Sequence, residues 1–288
     1  MFSDLIVKIA KRLPRGGYRL LVLLSKVFPS LRCYPLSISP GVTIQANLAN
    51  NVFFPLLKYG LYTHQVAEDF IIQAVLKDGD CVVDVGANIG YVSLVCVKCI
   101  GEGVVYAFEP SAVTFNYVEQ IAVQVKQIKP NQLAITNRSG SIRFIDEAYS
   151  DTSHIAESQD PRGYLVECCT IDAWAATHKI ERIDFIKVDA EGHDVQVMEG
   201  AGEVIKRHQP LIEFEAVTQV DVTQINDILQ SLAHTAAYKI FRVCNQYPLS
   251  VRFTELLTNN YFAIPHRRLC DVPDFLFRRG FLILNLSA

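Results

Sequence analysis

The sequence predicts an α/β fold in which a mostly parallel, seven-stranded sheet carries helices on both faces. Short apolar runs alternate along the chain with longer segments whose apolar residues have helical spacing. This alternation is typical of parallel sheets built from strand–helix–strand units. The runs are apolar at nearly every position, as expected for strands that are buried on both faces.

The individual elements follow from local patterns along the chain. Apolar residues spaced by three and four predict helices, which begin near residues 65, 91, 111, 170 and 195. Short apolar runs predict the sheet strands, at 81–85, 104–108, 132–135, 183–188, 211–215, 238–244 and 261–264. The last two of these are expected to be antiparallel. Alternating patterns at 141–146 and 164–170 predict an antiparallel hairpin, inserted at about 141–170 around a polar connection.

The N-terminal residues 1–59 are predicted to precede the main domain, 60–288, as two short basic amphipathic helices and an extended module. Residues 1–32 carry seven basic side chains and one acid, Asp4, around apolar runs that are too short to span a bilayer. Basic amphipathic helices can contact an anionic membrane surface. They can also dock on their own domain or on a second subunit, and docking is the favoured alternative.

Composition excludes several classes of protein. Half of the residues are hydrophobic, which supports a large core, and the net charge of −3 gives no electrostatic reason to expect a nucleic-acid partner. Cysteines lie in core-like runs and no cleavable signal peptide is visible, so we expect reduced thiols in a cytoplasmic protein, with membrane association through residues 1–32 as an open alternative. The C-x-x-C at Cys96–Cys99 is interpreted as a pair of small buried hydrophobic residues.

A glycine-containing loop follows the first predicted sheet strand and opens a helix. It runs Asp84-Val-Gly86-Ala-Asn88-Ile-Gly90, so its glycines have the spacing G-x-x-x-G. A dinucleotide loop has the spacing G-x-G-x-x-G and binds pyrophosphate, which the carboxylate of Asp84 would repel. The loop therefore indicates a ligand with a cationic amino group and goes against a nicotinamide cofactor. A plain strand–helix turn is the alternative interpretation.

Further carboxylates are predicted at the same edge of the sheet, because ligands bind at the carboxyl ends of parallel strands. Glu109 follows the second strand, about 20 residues after the glycines, where it can accept both hydroxyls of a ribose. Asp189, Glu191 and Asp194 follow the fourth strand, and clustered acids can serve as bases. His193 is a further candidate base. Glu109 could instead be a solvated acid in a turn, and the acids after the fourth strand could simply stabilise a helix N-terminus. His193 could be an ordinary surface residue.

Seven motifs together resemble one enzyme family. In chain order they are D-V-G-A-N-I-G-Y at 84–91, F-E-P at 108–110, A-I at 134–135, T-I-D at 170–172, K-V-D-A-E-G-H-D at 187–194, M-E-G-A at 198–201 and Q-P-L-I-E-F-E at 209–215. On these motifs, residues 60–216 resemble the FkbM family of S-adenosylmethionine-dependent methyltransferases. The resemblance implies a Rossmann-like methyltransferase fold and methyl transfer, usually to a hydroxyl oxygen.

The resemblance also implies which residues bind the cofactor. Those implied to bind S-adenosylmethionine share the carboxyl edge of the predicted sheet, and they are Asp84, Gly86, Ala87, Asn88, Gly90, Tyr91, Glu109, Ala134, Ile135 and Asp189. Among them, Glu109 would hold the ribose, and Ala134 and Ile135 would lie beside the adenine. No metal is expected.

The residues that would bind the acceptor are predicted in less detail than those that would bind the cofactor. Asp189, Glu191 and Glu215 would face the methyl group and the acceptor, and the expected base is Asp189 or Glu191, with His193 behind them. Two positions depart from the family pattern: Thr63 replaces an expected acid, and Glu213 replaces an apolar strand residue. Glu213 is therefore either strained in the core or part of an unusual acceptor site.

The expected reaction is O-methylation of a sugar, a glycan or another small molecule. The polar side chains of the insertion suit a sugar, and they are Asp151, Ser153, His154, Glu157 and Asp160. A protein that binds the cofactor without methyl transfer is the main alternative, and a nicotinamide-dependent oxidoreductase is a weaker one. Nucleic-acid methylation is disfavoured, because no N/D-P-P-Y/F stretch follows the fourth strand.

Overall fold

The computed structural model describes residues 2–62, 65–147, 153–156, 160–232, 238–245 and 256–284. The α-helices of these residues are α1 (Phe2–Arg12), α2 (Gly17–Ser25), α3 (Phe53–Tyr59), α4 (Val66–Val75), α5 (Tyr91–Ile100), α6 (Ala112–Gln124), α7 (Ile171–Thr177), α8 (Asp194–Glu199), α9 (Gly202–His208), α10 (Gln219–Ser231) and α11 (Asp274–Arg278). The strands are β1 (Tyr34–Ser39), β2 (Val42–Ala46), β3 (Cys81–Val85), β4 (Val104–Phe108), β5 (Ile128–Asn131), β6 (Ala134–Ile135), β7 (Gly140–Ile145), β8 (His154–Ile155), β9 (Tyr164–Cys169), β10 (Phe185–Val188), β11 (Leu211–Glu215), β12 (Tyr238–Asn245), β13 (Leu256–Pro265) and β14 (Leu282–Leu284).

The main sheet has the order β14-β12-β13-β11-β10-β3-β4-β5. Its five strands from β11 to β5 are parallel, and β13, β12 and β14 are antiparallel. Numbered along the chain, the parallel strands run 3-2-1-4-5, so the strand order reverses between β3 and β10. Ligands of α/β sheets bind at this reversal. The predicted Rossmann-like α/β fold is confirmed.

Two details of the predicted sheet are wrong. The described residues give it eight strands rather than seven, because β14 adds a three-residue edge strand that is too short to produce a sequence pattern. The third parallel strand is β5 and not 132–135. Pro130 makes this segment look unlike a strand in the sequence. An edge strand nevertheless tolerates proline, because one side of its backbone needs no hydrogen-bond partner. The structure assigns Ala134 and Ile135 instead to a second sheet of order β6-β9-β7-β8, which contains the predicted hairpin as β7 and β9.

Alternate side chains of the main sheet enter two apolar clusters, one on each face. Val82, for example, packs with α4, α5 and α6, whereas its neighbour Val83 packs with α7 to α10. The parallel strands are therefore buried on both faces, as their composition predicts. Cys96 and Cys99 lie on α5 as free thiols, and burial raises the pKa of the Cys96 thiol well above its ordinary value.

The N-terminal module packs against the same core. Inner residues of α1 and α2, such as Val7 and Leu21, join the apolar cluster that contains α5. The backbone of β2 is bound to α6, because Gln120 and Gln124 accept hydrogen bonds from the N–H groups of Gln45 and Thr43 at 2.7 and 3.1 Å. None of the helices described is long and apolar enough to cross a membrane. The boundary at residue 59 stays a prediction.

Candidate active site

The loop after β3 has a backbone that few residue types can adopt. Gly86, Asn88 and Gly90 have φ angles of 72°, 50° and 80°. Glycine populates this left-handed region freely, and asparagine tolerates it better than most residues. The N–H groups of Gly86 and Ala87 both donate to the carbonyl of Phe108, at 3.0 and 2.9 Å. The loop is thereby fixed to the end of the neighbouring strand β4.

Gly86 also has no room for a side chain. A Cβ atom built on it would lie 1.8 Å from the carbonyl oxygen of Asp189, in the loop after β10. Two loops at the reversal of strand order therefore touch through their backbones. Gly90 has a different role, because a Cβ there would lie 2.9 Å from Cδ1 of Ile121 on α6.

A buried ion network lies beneath these two loops. Lys187 faces Asp84 on β3 and Glu213 on β11, because the three positions are in register on adjacent parallel strands. Its Nζ atom lies 3.0 Å from Oδ2 of Asp189 and 3.9 Å from Oδ1 of Asp84. It also donates to the carbonyl of Gly86 at 3.2 Å. One ammonium group therefore contacts both loops.

The pKa values of this network follow from burial and charge. Burial alone lowers the pKa of Lys187, but the carboxylates of Asp189 and Asp84 outweigh it and raise that pKa above its ordinary value. Burial raises the pKa of Glu213 far above its usual range, and neighbouring Glu68 raises it further. The pKa of Asp84 is also raised by burial, although Lys187 opposes this shift. Lys187 is thus a permanent cation among carboxyl groups.

Glu109 occupies the end of β4, as the sequence predicts. Its two carboxylate oxygens accept hydrogen bonds from the backbone N–H groups of Asn88 and Ser111, at 2.8 and 3.0 Å. Burial raises its pKa to about 7, and these hydrogen bonds oppose the shift. Glu109 therefore orders the glycine loop while it faces the cavity described next.

A cavity of about 610 Å³ opens above the glycine loop. Of the predicted site residues, those that line it are Gly86, Ala87, Asn88, Tyr91, Glu109, Ala134, Ile135, Asp189, Glu191 and Glu215. Burial raises the pKa of Glu215, and the charge of Asp189 contributes to the same shift. Among the described residues that line the cavity, Lys187 is the only cation. The cavity thus combines carboxylates with apolar and aromatic side chains.

Three predicted site residues lie elsewhere. Asp84 is fully buried behind the loop, where it accepts a hydrogen bond from Ser93 at 2.6 Å, and Gly90 packs against α6. His193 lines a second, smaller cavity beside the four-stranded sheet, and burial lowers the pKa of its imidazole. A direct ligand contact by Asp84 and a base role for His193 therefore gain no support from their positions.

The sequence patterns do not predict several of the residues that line the cavity. Tyr62, Gln65 and Asn260 line the cavity, and so do Tyr18 and Phe54 of the N-terminal module. They lie far from the motifs along the chain, so sequence spacing carries no signal for them. Lys187 could have been found, because a charged residue inside a strand that is otherwise apolar needs a buried partner. Thr63, Asp151 and Glu157 lie outside the described residues.

Among the described residues, no group of three or more histidine, cysteine or acidic side chains is arranged to hold a metal ion. Comparison with protein families gives one match, in which the methyltransferase FkbM domain covers residues 84–240. The chain belongs to the FkbM methyltransferase family. The nicotinamide-dependent oxidoreductase considered from the sequence is therefore not supported.

Individual proteins similar to this FkbM-family chain are more distant. The hexuronic acid methyltransferase AglP of Haloferax volcanii is 24% identical over 165 residues, which are 55% of this chain and 67% of that protein. The structure of a methyltransferase FkbM from Methylobacillus flagellatus KT has a TM-score of 0.45 and 16% identity, over 85% of this chain and 62% of that one. The structure of a SAM-dependent O-methyltransferase from Thermotoga maritima has a TM-score of 0.41 and 13% identity, over 83% of this chain and 80% of that one.

The contact between the two loops predicts the effect of a single methyl group. Gly86→Ala should lose at least about 2 kcal/mol more stability in urea unfolding than Gly41→Ala. Gly41 is the matched control, since its φ of 79° is similar but a Cβ there meets nothing within 4 Å. The control carries only the cost of the left-handed backbone, about 1 kcal/mol. Equal losses in both variants would contradict the contact.

The ion network predicts a pH-dependent loss of stability. Lys187→Met should cost about 3–5 kcal/mol, because it leaves buried carboxylates without their cation. Those carboxyl groups then have folded pKa values above their unfolded ones, so stability is greatest at low pH and falls as pH rises through the folded values. Urea unfolding at pH 5 and pH 8 measures this difference, with exposed Lys98→Met on α5 as the control. A loss that does not depend on pH would refute the network.

Proposed function

We propose that this FkbM-family methyltransferase uses S-adenosylmethionine to methylate a hydroxyl oxygen of a sugar, a glycan or another small molecule. The observation that carries the proposal is the shared cavity. Its one wall contains the glycine loop and Glu109, and its other wall contains the carboxylates that follow β10 and β11. A cofactor at the first wall and an acceptor at the second would meet within one cavity.

The residues of the first wall fit S-adenosylmethionine. The side-chain oxygen of Asn88 is buried and accepts no hydrogen bond within the described part of the chain, so it is available to a ligand amino group. Glu109 retains acceptor capacity for ribose hydroxyls, because a carboxylate has about four lone-pair sites, more than its hydrogen bonds with Asn88, Ser111 and Thr114 use. Ala134 and Ile135 offer apolar contact to an adenine ring. Asp84 and Gly90 would act from behind, by holding the loop in shape.

The residues of the second wall suit proton removal from the acceptor. When bound, the cofactor supplies an electrophilic methyl group. The chain must then orient the acceptor hydroxyl and take its proton as the oxygen attacks. Asp189 and Glu191 are the proposed bases, and Lys187 would fix the orientation of Asp189. Glu215 adjoins them, and its raised pKa makes its carboxylate a stronger base than an ordinary glutamate.

The charges of the cavity favour a neutral hydroxyl acceptor. The side chain of Lys187 is 6% exposed, and its ammonium group already contacts Asp189 and Gly86, so it offers little to an acceptor carboxylate. Four lining carboxyl groups would repel an anion, and they are Glu109, Asp189, Glu191 and Glu215. The similarity to a hexuronic acid methyltransferase supports a sugar as the class of acceptor. The charges favour a sugar without a carboxylate, which distinguishes the proposed acceptor from the hexuronic acid named for that relative.

A direct assay tests this function. The purified chain should bind S-adenosylmethionine in calorimetry and transfer its labelled methyl group to glycans of a strain from which the gene is deleted. Mass spectrometry should then show one added methyl mass on a sugar residue and release of S-adenosylhomocysteine. Affinity for the cofactor without transfer to any glycan or metabolite would favour the alternative of a binding protein. No affinity for the cofactor would refute the proposal.

Substitution of the carboxylates tests their role. Asp189→Asn or Glu191→Gln should lower turnover about 100-fold or more, the usual contribution of a positioned base, and Glu191→Gln should leave cofactor affinity little changed. His193→Gln is the matched control and should retain turnover, because His193 lines the separate cavity. The base is the residue whose substitution removes the acidic limb of the pH–rate profile, where activity rises as the base loses its proton. Near-normal turnover of both acid variants would exclude Asp189 and Glu191.

A further inference from the structure

The outward sides of α1 and α2, with the turns that follow each helix, form a surface of apolar and basic side chains, here called the N-terminal face. Its exposed members are Phe2, Leu5, Lys8, Ile9, Lys11, Arg12, Arg15, Arg19, Leu23, Lys26 and Val27. Leu23 and Val27 are 62% and 69% exposed. Large apolar side chains clustered at this exposure mark an interaction surface more often than scattered ones do.

Docking of the helices on their own domain does not account for this face. The opposite side of each helix is already buried, with Val7 and Ala10 of α1 and Leu21 of α2 in the main core. On α2 the outward positions Arg19, Leu23 and the following Lys26 and Val27 are either basic or apolar. The inner sides therefore fix the helices, and the outer apolar row has a separate use.

The charge of this face indicates which kind of partner it binds. Residues 1–32 hold seven basic side chains and one acid, whereas the whole chain has a net charge of −3. The one acid, Asp4, accepts a hydrogen bond from Tyr34 at 3.2 Å. A second copy in a two-fold contact would place the same cations against one another, because such an interface uses the same patch twice. An anionic surface would complement them.

We propose that the N-terminal face docks on an anionic lipid bilayer. Helices of 11 and 9 residues cannot span a membrane, but they can lie in its interface. Phe2, Leu5, Ile9, Leu23 and Val27 would enter the boundary between head groups and acyl chains. The surrounding lysines and arginines would contact lipid phosphates, as they do in other interfacial helices. This docking does not depend on the reaction that the cavity performs.

Vesicle flotation of the full chain tests the proposal. The protein should float with phosphatidylcholine vesicles that contain phosphatidylserine, and much less with phosphatidylcholine alone. High salt should release it, because screening weakens the contact of exposed charges. The double variant Leu23→Ser, Lys26→Glu should bind the anionic vesicles at least about tenfold more weakly than the unchanged protein.

A matched control separates the face from general changes in charge and hydrophobicity. Val123→Ser with Lys126→Glu likewise replaces an apolar residue with serine and a lysine with glutamate at the same spacing, on and just after α6, where both side chains are exposed. This control should float like the unchanged protein. The proposal is overturned if the unchanged protein does not float, or if both double variants lose binding equally. It is also overturned if light scattering shows a dimer that only Leu23→Ser, Lys26→Glu dissociates, since the face would then bind a second copy.

Discussion

The ammonium group of Lys187 is the interaction on which the rest of the site depends. Lys187 lies on β10, where it is in register with Asp84 on β3 and with Glu213 on β11. Isolated charges are expensive to bury, and removal of one partner from a buried ion network leaves the others uncompensated. Lys187 therefore favours the charged form of buried Asp84, whose pKa burial raises. The sheet holds its charges at the reversal of strand order, where the cavity lies.

The same cation connects the two walls of the cavity. Lys187 donates to the carbonyl of Gly86 in the glycine loop and pairs with Asp189 in the loop after β10. The backbones of Gly86 and Asp189 approach so closely that no side chain fits between these loops. On the proposed function, the cofactor wall and the acceptor carboxylates are thus positioned by one group. Methyl transfer benefits from such fixed geometry, because it depends on alignment more than on covalent assistance.

The sequence predicted the parts of the site that local patterns encode. Strand β3, its glycine loop and Glu109 form one short segment with a defined spacing, and the structure has them as predicted. The interpretation of Asp84 as a direct ligand of a cationic group gains no support, because spacing along the chain cannot show that Lys187 faces Asp84 from another strand. For the same reason, the sequence alone does not distinguish a strained core residue from an acceptor-site residue at Glu213. Its partner Lys187 is 26 residues away and becomes its neighbour only through strand register.

The N-terminal module explains why the motifs indicate a cofactor but not an acceptor. The family match begins at residue 84, yet Tyr18 and Phe54 line the same cavity as the glycine loop. Their rings lie 6.1 Å apart at an angle of 52°, and Gly17 before Tyr18 fits closely against Phe54. Aromatic side chains that line a cavity provide apolar contact area and fix the orientation of a ligand. Tyr18 and Phe54 therefore add aromatic contact area from outside the family domain, and on the proposed function they would contact the acceptor together with the carboxylates of the motifs.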